Sequence, residues 1–138
     1  MTRVGVPDDD IQLVKDAYAA FARGDIDAAV AGLAEDVVWV EPDEFPNGGR
    51  HDGRAAVHEY LRRSRAMWRQ LSSTVDVRRV GDRIVAIHSV SGVLADGTPH
   101  ENAVGDVFVL RAGVVTAMTA YATPEQALAA TKFDAGDA

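Results

Sequence analysis

The sequence predicts a single α+β domain in which three helices lie against one face of a curved sheet. Three observations carry this. In the first half, apolar residues recur every three or four positions, at Ile11, Val14, Tyr18 and Phe21, and again at Val57, Tyr60, Leu61 and Trp68. From Leu71 to Tyr121 the chain divides into four long β-rich runs separated by glycine-containing turns. At 138 residues and without cysteine, the chain is one domain long, and such a domain buries about 68% of its unfolded surface without disulfides or metal.

The elements follow in order. An N-terminal tail runs to about Asp8. Asp8, Asp9 or Asp10 caps a first helix that continues through Phe21. Gly24 suits its left-handed C-cap and Asp25 the N-cap of a short, alanine-rich second helix, Ile26 to Leu33. Val37 to Glu41 reads as a strand closed by Pro42. Asp43 to Asp52 reads as a loop, long for a compact domain and therefore a candidate rim or lid. Gly53 precedes a third helix, Arg54 to about Trp68. The meander then runs Leu71–Val80, Arg83–Val93, His100–Leu110 and Val114–Tyr121. Gly92 and Gly105 fall inside strands, where a bulge or sharp bend is the usual reason. Pro124 opens a short C-terminal helix or tail, and disorder is expected from Lys132. No linker or repeat divides residues 1–138, and the ordered core is expected at about 8–130.

Composition narrows the function. Fourteen basic residues against 21 acidic ones give a net charge of −7, which argues against a nucleic-acid partner. The arginines at 62, 63, 65 and 69 read as a solvent-facing side of the third helix. No apolar run approaches the roughly 20 residues of a membrane span, and the first ten residues lack a signal-peptide core, so a cytoplasmic location is the expectation.

Two carboxylates look out of place. Alternation puts Val37, Trp39 and Glu41 on one face of the first strand, so Glu41 either marks the strand end and meets water or is enclosed and raised toward the range of a general base. Asp106 precedes Val107-Phe108-Val109-Leu110 and shares a face with Phe108. It is either buried and hydrogen-bonded or protonated, or else turned outward at an edge, on the convex face or by a bulge at Gly105.

The order of elements resembles the NTF2-like (cystatin-like) fold, and within it the SnoaL-like and ketosteroid-isomerase-like group. The resemblance rests on Ala17 to Asp25 (AYAAFARGD), Leu33-Ala34-Glu35-Asp36-Val37, Glu41-Pro42 and Gly53-Arg54-Ala55-Ala56-Val57, and spans roughly Ile11 to Tyr121. It implies a cone of three N-terminal helices on a strongly curved, mostly antiparallel mixed sheet. In the steroid isomerases of this group the base is an aspartate followed by proline, which Glu41-Pro42 matches with one extra methylene. Their protonated oxyanion-hole aspartate, two residues before a phenylalanine, is matched by Asp106 and Phe108; in the polyketide cyclases an acid in this region transfers a proton. Their oxyanion tyrosine falls on Ala17, leaving Tyr18 about 100° further round the helix. Tyr60 and Tyr121 are then alternative sources of a hydroxyl. No cofactor or metal is implied.

The resemblance thus points to a small cofactor-independent isomerase, cyclase or lyase acting beside a carbonyl. A non-catalytic small-molecule-binding dimer and an epoxide-hydrolase-like enzyme are the alternatives. The expected catalytic set is Glu41, Asp106, Tyr18 and His100, the last as a proton shuttle on the side of Asp106. The expected pocket is Trp39, Tyr60, Met67, Trp68, Ser89, Ser91, Asn102, Phe108 and Tyr121, around a mid-sized apolar molecule with a carbonyl or hydroxyl. His88 is expected to face away from the cavity. With Val90, Val107 and Val109 it would form an apolar outer face for a homodimer.

Overall fold

A computed structural model describes residues 8–136, with side chains to Thr131; the N-terminal tail before Asp8 lies outside them. The elements are α1 (Asp9–Ala22), α2 (Ile26–Val30), β1 (Leu33–Glu41), β2 (Gly49–Asp52), α3 (Arg54–Ala66), β3 (Trp68–Val80), β4 (Arg83–Leu94), β5 (Pro99–Arg111), β6 (Val114–Tyr121) and α4 (Pro124–Gly136). Six strands form one sheet in the order β2-β1-β6-β5-β4-β3. Only β1 and β6 run parallel; every other pair is antiparallel. No described helix is long and apolar enough to cross a membrane.

Several boundaries differ from those expected, each because pairing outweighs local composition. β1 begins at Leu33, where the second helix was expected to continue, because Leu33 pairs with Val115 of β6 and the Val115 N–H donates to the Gly32 carbonyl at 2.9 Å. The expected ten-residue loop is shorter, since Gly49 to Asp52 pair with β1 as β2. The third helix stops at Ala66: Trp68 is already a strand residue, opposite Leu94. The C-terminal helix or tail expected from Pro124 is α4.

The core lies between the inner face of the sheet and helices α1 and α3. Val14 of α1 and Val57 of α3 are buried against Val37, Ile84, Phe108, Val115 and Met118. Helix α1 is fixed at both ends. Asp8 caps it by accepting from the Asp10 and Ile11 amides, while Arg79 of β3 donates to both Asp8 oxygens at 2.9 and 3.1 Å and to Asp10 at 3.2 Å. At the other end the Arg65 guanidinium donates to the Ala22 carbonyl at 3.1 Å. Arg65 is therefore a tie between α3 and α1, unlike Arg62 and Arg63, which pair with Glu59 at the surface.

Helix α4 lies on the opposite, outer face. This explains Gly105, which the sequence suggested was a bulge. Gly105 pairs in register with both Ile87 and Tyr121. A Cβ there would stand 2.4 Å from the Cβ of Ala127, so glycine lets α4 approach the sheet. Gly92 likewise pairs in register, with Leu71 and His100, and the register shift lies on the facing strand between Trp68 and Gln70; a Cβ on Gly92 would stand 2.0 Å from the Gln70 carbonyl oxygen. Of the four residues expected on an apolar outer face, His88 and Val90 instead line the internal cavity. Val107 and Val109 alternate with Asp106 and Phe108 and so share the outer side of Gly105.

Replacing Gly105 with alanine is expected to lower stability by about 1–3 kcal/mol through overpacking against α4. Chemical denaturation of Gly105→Ala, Ala127→Gly and the double variant checks this. The two changes must be non-additive, with Ala127→Gly recovering part of the loss.

Candidate active site

Strand register builds the site. Counting outward from the turn at Ala95–Thr98 pairs Val93 with Pro99, Ala86 with Asp106 and His88 with Val104. Directly paired residues share a face, so each rung across the inner side can be read in turn. One rung carries Ile84, Phe108 and Met118, with Trp39 beside Met118, and is filled by large side chains. The next carries Ala86, Asp106 and Ala120. Two alanines flanking an aspartate leave space, and the sheet curves around it. The result is a cavity of about 690 Å³ between the sheet, α1 and α3, with largely apolar walls.

Glu41 and Asp106 both line this cavity and both are buried. The Trp39 indole N–H donates to Glu41 Oε2 at 2.7 Å, two residues along the same face of β1. Burial pushes Glu41 up to about 7, the negative charge of Asp106 adds to the rise, and the Trp39 and Tyr60 donors oppose it. Burial likewise raises Asp106 to about 6, against a hydrogen bond donated by the Tyr18 hydroxyl to its Oδ2. Tyr18 itself is held far above the ordinary phenol range by burial and by the Asp106 charge. Tyr60 is raised by burial and by Glu41.

Tyr18 thus reaches Asp106 although it stands one residue beyond Ala17 on the helix. Ala17 and Tyr18 both face the cavity, and the phenol ring spans the offset from α1 to β5. Its ring stands edge-on to Phe108 at 6.1 Å and to His88 at 4.6 Å, while Trp39 packs edge-on to Phe108 at 6.2 Å. Tyr60 and Trp68 also line the cavity.

Other expected members lie elsewhere. His100 is exposed at the far end of β5, its ring tilted against Trp68 with centroids 5.6 Å apart, and does not line the cavity, so it is not positioned as a shuttle to Asp106. Ser89 and Ser91 are exposed because in β4 it is His88 that pairs opposite the inward Val104; Asn102 pairs with Val90 but is exposed, and all three line a separate polar depression with Ser72 and Thr74. Met67 caps the C-terminus of α3 and is exposed. Tyr121 pairs with Gly105 and so belongs to the outer face.

The sequence reading missed two cavity residues of consequence. His88 is buried and held near pH 4 by desolvation, hence neutral, with its Nε2 2.6 Å from the Ser73 hydroxyl. Pairing from the Ala95–Thr98 turn would have found it. Phe45, in the loop between β1 and β2, also lines the cavity; an apolar residue in an otherwise polar loop was its only signal.

A family model described as a SnoaL-like domain matches residues 14–118. Among solved structures, a putative polyketide cyclase from Xanthomonas campestris pv. campestris is 33% identical, with 89% of this chain and 96% of that one covered and a TM-score of 0.67. An NTF2-like protein of unknown function from Burkholderia pseudomallei is 22% identical, with 89% and 97% covered and a TM-score of 0.74. A hypothetical protein with a ketosteroid isomerase-like fold from Catenulispora acidiphila is 20% identical, with 91% and 95% covered and a TM-score of 0.69. The last two speak to the fold, which is the NTF2-like, cystatin-like α+β cone. No curated protein matches the chain.

The raised carboxyls make the folded state bind more protons than the unfolded chain. For Glu41 the resulting stabilisation is fully present below its ordinary value of 4.5 and is lost as pH rises through about 7. Glu41→Gln removes this dependence. The variant is expected to gain stability relative to the parent between about pH 4 and pH 8, by on the order of 2–3 kcal/mol, in paired thermal denaturation series.

Proposed function

The chain belongs to the SnoaL-like domain family, and from that membership and the cavity we propose that it is a cofactor-independent enzyme of proton transfer beside a carbonyl. The observation that carries this reading is the pair of buried carboxyls, Glu41 and Asp106, in one largely apolar cavity, each with a neighbouring hydrogen-bond donor. The cavity volume suits a mid-sized, mostly apolar substrate with a carbonyl or hydroxyl.

In this reading Glu41, ionised, takes a proton from the carbon next to the carbonyl. The C–H electron pair forms a carbon–carbon double bond, and the carbonyl oxygen becomes an enolate oxygen. Asp106, protonated and coupled to Tyr18, donates a hydrogen bond to that oxygen in a site where apolar walls keep the interaction strong. With the proton that Glu41 has taken, a conjugated enolate is then protonated at another carbon; or the enolate attacks a second carbonyl, whose oxygen takes that proton; or the carbonyl re-forms and a β-hydroxyl leaves as water carrying it. These outcomes are isomerisation, aldol cyclisation and dehydration. Similarity to a putative polyketide cyclase and to a ketosteroid isomerase-like fold supports the class without choosing among them.

A second assignment exchanges the two acids. Tyr18 already donates to Asp106, which favours its ionised form, and Glu41 is raised further than Asp106. Asp106 would then be the base and Glu41 the proton-bearing donor.

Amide substitutions separate these assignments, because an amide donates a hydrogen bond and cannot take a proton. With Glu41 as base, Glu41→Gln is expected to lower kcat/KM on an enolisable cyclic ketone by roughly 10²–10⁴-fold, and Asp106→Asn by roughly tenfold or less. The reverse ratio establishes the exchanged assignment. Equal, negligible effects of both sink the enzyme reading.

Either assignment requires one proton on the pair. The pH profile of kcat/KM is therefore expected to be a bell with limbs near 6 and 7, falling on the acid side as the base is protonated and on the alkaline side as the donor ionises. A profile flat from about pH 5 to pH 9 contradicts it.

A further inference from the structure

The charged groups facing the cavity are all of one sign. Glu41 enters from β1 and Asp106 from β5, while α1 contributes Asp9 and Asp16 nearer the solvent-facing side. The remaining titratable groups that face the two buried acids are the phenols Tyr18 on α1 and Tyr60 on α3, and the neutral His88 on β4. β6 contributes Val115 and the β1–β2 loop Phe45. No lysine or arginine lines the cavity among the described residues. Lys15, beside Asp16, is exposed and outside the lining, and Arg65 is engaged with the Ala22 and Trp68 carbonyls.

We infer that the cavity selects by charge, taking uncharged apolar molecules and above all those with a basic amine, and turning away carboxylates and phosphates. A buried negative charge without a cationic partner repels an entering anion in a medium that screens poorly. An ammonium supplies the missing countercharge, and the faces of Tyr18, Trp39, Phe108 and Trp68 offer favourable seats for it. The inference rests on the cavity being a small-molecule site, as proposed above, but not on which carboxyl moves the proton or on any proton moving at all.

Calorimetric titration of the whole chain with three matched probes tests it: 2-acetylnaphthalene (uncharged), 2-naphthoate (anionic) and 2-naphthylmethylammonium (cationic). At about pH 8 both acids are largely ionised, and the expected order is amine, then ketone, with naphthoate at least roughly tenfold weaker than the ketone. Lowering the pH to about 5.5 protonates the pair and is expected to weaken the amine several-fold while leaving the ketone nearly unchanged. The double variant Glu41→Gln, Asp106→Asn should lose the preference for the amine and keep the ketone. The wild-type ranking does not depend on that variant's folding.

Naphthoate binding as tightly as the ketone overturns charge selection while leaving the proton-transfer reading intact. Amine binding that ignores both pH and the double substitution also overturns it. Failure of all three probes to bind overturns both the selection and the cavity as a site for molecules of this size. Loss of turnover in a single amide variant that still ranks the probes as the parent does, with the ranking abolished in the double variant, supports charge selection and separates it from the chemistry.

Discussion

The buried carboxyl of Asp106 is the constraint around which the inner half of the domain is arranged. It sits in a rung between Ala86 and Ala120, next to the bulky rung of Ile84, Phe108 and Met118, and away from bulk water. A carboxyl so placed costs several kcal/mol unless it finds a hydrogen-bond partner or keeps its proton. Its donor is Tyr18, and Tyr18 is carried on α1. That helix must therefore be held in azimuth and along its axis. Arg79 fixes its first turn through Asp8 and Asp10, and Arg65 fixes its last turn through the Ala22 carbonyl. Surface ion pairs contribute little to stability on average, so the consequence of these ties is positional.

The same reasoning shows what the sequence disclosed. Glu41 was legible because a period of two along Val37, Trp39 and Glu41 places an acid on a face otherwise apolar, and Asp106 because it shares a face with Phe108. The fold was legible from helical stripes followed by glycine-punctuated strands. Errors arose where a side depended on register across a turn. His88 and Ser89 are adjacent, so assigning the wrong one to the cavity reversed the whole strand, sending Ser89 and Ser91 inward on paper and His88 and Val90 outward. Met67 failed at an element end, where helical phase no longer applies, and Tyr121 because it alternates with the inward Ala120 and so pairs with Gly105 on the outer face. Gly105 is the opposite case. Its reason lies in α4, which reaches it from the far side of the sheet, and local composition carries no trace of that contact.

Tyr18 shows why a motif count and a geometry differ. The helix offset of one residue is real, yet α1 presents Ala17 and Tyr18 together to the cavity, and a phenol is long enough to reach β5 from either side of the stripe. His88, neutral and held by Ser73, gives that ring a flat edge to rest against. The hydroxyl is positioned by packing as much as by the helix that bears it.

The parallel junction of β1 with β6 has a consequence for how the molecule assembles. Glu41 lies on the first strand of the chain and Asp106 on the penultimate one, and they share a cavity only once Trp39 has come to lie beside Met118. Such pairing between distant segments incurs its loop-closure entropy before it is rewarded and belongs to the slow, non-local part of folding. The β3–β6 meander can zip locally through its turns, with nothing yet opposite Asp106. During synthesis the carboxyl pair is thus absent until β6 has emerged, and the desolvated acids meet only when the sheet has already closed around them.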